Sequence, residues 1–142
     1  MHNDSKKLLV AVSKAAGRNL DVADFNDRLT MQKGCYVLNS WGYGPKYRFS
    51  MYIRGPYSSE LADDYYNIDS CIGDTTDIPD EAISRLRSIF DKGLGYMEAY
   101  ATVLMVKNNS PGASHDSIHR RALALKPHLE KEVEEACTSI LA

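Results

Sequence analysis

The sequence is short of the features that most readily assign a protein to a class. No long apolar run opens it: after the polar and acidic start Met1-His2-Asn3-Asp4 there is only Leu8 to Val12. That is too short for a signal peptide or a spanning helix, and a cytoplasmic protein with no membrane partner is expected. Its three cysteines, Cys35, Cys71 and Cys137, are odd in number and far apart. They argue against a disulfide framework and suit a reducing compartment. No CxxC pair is present and no His stands at ligand spacing from a cysteine, so no structural zinc is expected. There is no Gly-rich phosphate loop, no nucleophile elbow and no HExxH, so no catalytic residues and no cofactor are predicted. Basic excess is missing too: the formal net charge is −2, which lowers the expectation of a nucleic-acid partner without removing a local patch.

What is present is an ordinary globular composition, 44% hydrophobic and 25% charged, over 142 residues. That length suits a single domain, 1–142, able to bury a core without staples. Apolar residues recur at helical spacing through most of it. A first helix is expected from Asp4 or Ser5 to Ala16, stopped by Gly17, and a second from Asn26 to Trp41, stopped by Gly42. Gly34 inside the second helix suggests that another backbone passes close by. From Tyr47 to Ile53 the period changes to two, with Tyr47, Phe49, Met51 and Ile53 on one side and Arg48, Ser50 and Tyr52 on the other. This one strand needs a partner, elsewhere in the chain or in a second subunit, which leaves a homodimer open.

Gly55-Pro56 is read as the turn after that strand, and Ser58 or Ser59 as the cap of a third helix with Leu61, Tyr65 and Ile68 as its apolar edge. A loop at Gly73–Asp77 follows, then a fourth helix from Pro79, and a fifth, apolar helix carrying Leu94, Met97, Ala101, Leu104 and Met105. A sixth spans His115 to Leu125 and a seventh follows Pro127. The expected fold is mainly α, a compact helical domain of about seven helices with one short β element.

Candidate sites are few. Glu60 and Asp64 share a helix face, and His115 and His119 stand one turn apart, but neither pair has evident further partners. The third helix carries Glu60, Asp63, Asp64 and Asp69 and no basic residue, so a phosphate backbone would repel it. A mixed tyrosine, arginine and acidic surface suits a protein partner, and Arg48, Tyr52, Arg54, Tyr57, Asp64 and Tyr65 are the predicted contact residues. For Arg54 a purely structural role also stands, a hydrogen bond or ion pair with Asp63 or Asp64 that ties the turn to the helix. The alternative is a DNA-binding regulator contacting nucleic acid through Arg120, Arg121 and Lys126.

Two motifs at fixed separation carry a resemblance. Arg28-Leu29-Thr30-Met31-Gln32-Lys33 with Tyr36-Val37-Leu38 is followed by Phe49-Ser50-Met51-Tyr52-Ile53-Arg54-Gly55-Pro56-Tyr57-Ser58-Ser59-Glu60-Leu61. Together they resemble the prokaryotic YwgA-like proteins and, more distantly, Panacea domains of the SocA antitoxin type. Met31 stands where that pattern has Leu, and Gly34-Cys35 replaces larger apolar residues. The resemblance implies a compact helical fold with a winged-helix flavour around the strand. For the Panacea relatives it implies neutralising or presenting a toxin by direct protein contact. It covers residues 25–68 and implies nothing for the chain beyond Asp77.

Overall fold

A computed structural model describes residues 3–67 and 75–142. The expected roles of Ile68, Asp69, Cys71 and the start of the 73–77 loop fall outside those residues. The described chain is mainly helical. In order it forms α1 (Asn3–Ala16), α2 (Phe25–Ser40), β1 (Ser50–Tyr52), β2 (Gly55–Tyr57), α3 (Ser59–Tyr66), α4 (Asp80–Phe90), α5 (Leu94–Asn108), α6 (His115–Leu125) and α7 (Glu130–Ile140). A 3-10 turn, Pro127–Leu129, links the last two. Asp24, Ser58 and Ser114 cap α2, α3 and α6 by accepting the N–H of Asp27, Leu61 and Ser117. Each cap satisfies a donor that the first helical turn cannot pair itself.

The apolar fifth helix is the centre of the molecule. Every residue of α5 from Tyr96 to Val106 is buried, and α2, α4, α6, α7 and β2 pack around it. A helix that is apolar on nearly all sides has no face to give to solvent, so neighbours enclose it. Two polar residues interrupt it, Glu98 and Thr102, one turn apart and therefore on one face. The face bearing Thr102 lies beneath the hairpin: a Cβ placed on Gly55 would come 3.2 Å from Thr102 Oγ1.

α1 packs against both α2 and α4. Gly34 sits where these helices converge, but side chains rather than a backbone approach it. A Cβ there would stand 2.8 Å from Val12 Cγ1 and 3.0 Å from Phe90 Cζ.

The strand finds a partner inside the chain. β1 and β2 form an antiparallel hairpin with Ser50 opposite Tyr57, Met51 opposite Pro56 and Tyr52 opposite Gly55. The turn is therefore Ile53-Arg54, and Gly55-Pro56 belongs to the second strand. Pro56 lacks an N–H, which a two-stranded hairpin tolerates because its strands are edges. Gly55 takes φ +97°, a conformation that favours glycine. The period-two pattern holds through Tyr52 and fails at Ile53, which is 88% exposed because it lies in the turn.

Candidate functional site

The hairpin is held to α2 by two adjacent side chains. Gln32 donates from Nε2 to the Ser58 carbonyl at 2.9 Å and accepts the Ser58 N–H on Oε1 at 2.8 Å. Its Nε2 also lies 3.4 Å from the Tyr65 hydroxyl. Lys33 donates from Nζ to the Pro56 carbonyl at 2.9 Å. A β2 segment next to proline and a helix start has backbone groups that no strand reaches, and these side chains occupy them. Farther along α2, Asn39 performs the same task for the following loop. Its Nδ2 donates to the carbonyls of Tyr43 and Pro45, and its Oδ1 accepts the Tyr47 N–H.

Under the turn lies a buried ionic cluster. Lys126, at the C-terminal end of α6 and only 2% exposed, donates to the Ile53 carbonyl. Its Nζ is 3.1 Å from Glu98 Oε2, an ion pair whose angles fall short of a hydrogen bond. His128 Nε2 stands 4.0 Å from the same carboxylate oxygen. Lys33 is 1% exposed, and burial lowers its pKa to about 8. Glu98 opposes that shift, while Lys126 and Arg54 add to it. Arg54 lies over the Phe25 ring, its guanidinium carbon 5.6 Å from the centroid.

These residues border a cavity of about 180 Å³ between α2, the turn, the start of α5 and the 3-10 turn. Lys33, Arg54, Glu98, His128 and Asn26 supply its polar wall, and Leu29, Leu94, Met97 and Leu129 its apolar wall. Among the described residues no carboxylate forms an ion pair with Lys33 or Arg54. A buried lysine at a cavity, held by one carbonyl, is the kind of perturbed group that marks functional sites. Glu98 and Lys33 are not among the site residues expected from the sequence. The available signal was Glu98 itself, the one charged residue between Lys92 and Lys107 in an apolar helix: once buried, it has to be paired.

The predicted contact residues divide. Arg48 is exposed, its backbone N–H donating to Glu60 Oε1 at 3.0 Å and its guanidinium 3.9 Å from the same carboxylate. Tyr52 is exposed and packs edge-on against Tyr57, ring centroids 5.4 Å apart. With Arg54 these make one surface around the hairpin. Asp64 and Tyr65 do not join it. Asp64 accepts from the Tyr47 hydroxyl at 2.6 Å and from Ser5 Oγ at 3.3 Å, which ties α3 to α1 and the strand region. Tyr65 is 2% exposed, a core residue whose hydroxyl meets Gln32. The Arg54 partner is the Phe25 ring rather than Asp63 or Asp64.

The basic trio divides as well. Arg120 pairs with Asp116 at 3.4 Å on the outside of α6, and Arg121 donates to Ser110 Oγ at 2.7 Å. Lys126 is buried under the hairpin, so it offers no charge to a phosphate backbone.

Among the described residues, two further grooves stand out elsewhere. One, lined by Trp41, Arg85, Lys92, Tyr96 and Tyr100, has Arg85 stacked on Trp41 at 4.1 Å. The other lies between Asp4, Lys7, Gly44 and Asp77. Among the described residues no helix is long and apolar enough to cross a membrane. No protein-family model, curated protein or solved structure matches the chain.

Proposed function

We propose that the chain is a protein-interaction domain that docks its partner on the Ile53-Arg54 turn. The observation that carries this reading is Ile53, a large apolar side chain left 88% exposed at the tip of an anchored hairpin. Tyr52 and Arg54 flank it, Phe25 lies under Arg54, and Leu94 shares the cavity edge with Arg54; the three apolar neighbours are all exposed. Clustered exposed apolar groups around an arginine are typical of interface centres, whereas scattered ones are not. The turn is also pre-organised. Lys126 holds the Ile53 carbonyl and Lys33 the Pro56 carbonyl, so little ordering cost falls on association.

The partner best suited to this surface is a protein with an apolar depression rimmed by carboxylates, complementary to Ile53 and Tyr52 beside Arg54 and Arg48. The resemblance of residues 25–68 to Panacea domains, which implies direct protein contact, supports the same class, with an antitoxin-like or defence-associated adaptor as its specific form. Affinity capture from the native host tests it with Ile53→Asp, Arg54→Glu and, as a distant control, Arg120→Glu. The partner recovered by the parent chain and by Arg120→Glu is lost from the two hairpin variants. Recovery undiminished by either hairpin variant rules out the surface. A DNA-binding role would instead show as retention on heparin that falls steeply with salt and is weakened by Arg120→Glu.

A further inference from the structure

The cavity beneath the turn has an electrostatic imbalance that docking on Ile53 does not use. Its wall carries Lys33 and Arg54, and Lys126 lies just behind. The carboxylate among them, Glu98, is already 3.1 Å from Lys126. Among the described residues buried Lys33 has one hydrogen-bond acceptor, the Pro56 carbonyl, although an ammonium has three N–H groups to place. Glu98 is thus shared between two buried ammonium groups, which leaves the cluster with more positive than negative charge, and perturbed groups in a cleft mark candidate binding sites.

The start of α5 also borders the cavity, with the Glu132 carboxylate beside its first turn. Leu94 and Gly95 at the start of α5 line it, no side chain caps that helix, and its first turn holds no acidic residue. Glu132 comes up beside Gly95, but it is not among the cavity's lining residues. An uncapped helix start favours negative charge. Leu29, one turn from Lys33 on α2, lines the cavity together with Met97 and Leu129, and these apolar groups would exclude a ligand that is charged throughout.

We propose that this cavity binds an aliphatic carboxylate, its carboxylate between Lys33 and Arg54 and its short apolar group against Leu29, Leu94, Met97 and Leu129. A free branched-chain carboxylic acid and the C-terminal carboxylate of a peptide ending in leucine present the same chemistry. The inference goes beyond protein docking and does not depend on it, because the cavity walls come from this chain alone.

Chemical-shift titration of the full chain with isovalerate, with an acetylated Gly-Leu dipeptide, with its C-terminal amide and with inorganic phosphate tests it. At least one of the two carboxylates saturates with shifts at Gly95, Glu98 and Leu129, and the amide does not. Binding of isovalerate alone identifies a free acid as the ligand; binding of the dipeptide alone identifies a chain terminus. Arg54→Gln, at an exposed position, and Lys33→Met each weaken the interaction by about tenfold or more, as expected for loss of a charged hydrogen bond. No saturable shift with either carboxylate overturns the proposal. So does binding that both variants leave unchanged, or phosphate binding as tightly as isovalerate.

Discussion

Gln32 and Ser58, 26 positions apart, exchange hydrogen bonds in both directions, side-chain amide against backbone amide. The pair couples the second helix to the point where the hairpin ends and α3 begins. Ser58 is itself the cap of α3, so one residue is fixed by Gln32 through its backbone and fixes Leu61 through its side chain. Both motifs of the sequence resemblance therefore meet at a single joint.

Replacing Gln32 by Leu removes both bonds and leaves a buried N–H and C=O without partners. Each orphaned group costs about 1–3 kcal/mol. Urea denaturation should show Gln32→Leu destabilised by roughly 3 kcal/mol, with the m-value unchanged. A loss under about 0.5 kcal/mol would mean that the joint does not hold in solution.

Lys33 sets a pH dependence. Its folded-state pKa, lowered to about 8 chiefly by burial, lies below the unfolded value of 10.5. Between those values the unfolded chain binds more protons, so stability rises as pH increases from about 8 towards 10.5. Below pH 8 the buried charge is a standing cost. Lys33→Met removes it but orphans the Pro56 carbonyl at about 1–3 kcal/mol, so the variant should be at least as stable as the parent at pH 7 and less stable than it by pH 10. The stability profile between pH 8 and 10 should flatten in the same variant, measured by urea melts across that range.

Much of the helical frame was legible in the sequence because its punctuation is local. Gly17 and Gly42 follow helix ends, Ser58 caps α3, and Pro79 opens α4. The hairpin was half legible. Alternation marks β1, but Gly55-Pro56 carries so strong a turn signature that it points to a turn two residues late and to an inward Ile53. The candidate site was the least legible part. Tyr65 and Lys126 have polar tips that suit a surface, and nothing within their own helices shows that Gln32 and the Ile53 carbonyl bury them. Those contacts link positions 33 and 73 residues apart, beyond any periodicity.

Gly34 gives a packing prediction. Ala in a helix interior is worth about 1 kcal/mol over Gly. Here the added Cβ would stand 2.8 Å from a Val12 methyl, and Val is stiff at χ1. Phe90 closes the other side at 3.0 Å. Overpacking of this kind costs about 1–3 kcal/mol, so Gly34→Ala should be destabilised despite its better propensity. Val12→Ala in the same chain should recover part of the loss. A stabilised Gly34→Ala would show that α1 and α4 can yield.

The Glu98–Lys126 pair supplies the sharpest test of the buried cluster. Glu98→Gln keeps the shape of the side chain and removes its charge, so Lys126 is left buried beside Lys33 with no counter-ion. Breaking a buried pair from one side costs about 3–5 kcal/mol, whereas replacing both partners by apolar groups is often close to neutral. Glu98→Gln alone should therefore be strongly destabilised, and Glu98→Leu with Lys126→Met should regain most of the loss. That double variant still lacks the Lys126 bond to Ile53, so its turn should loosen while the core stays intact. Hydrogen exchange separates the two effects: faster exchange at Arg54 and Gly55 with unchanged protection in α5 is the expected pattern. Equal acceleration in α5 would mean that the ion pair supports the central helix rather than the turn.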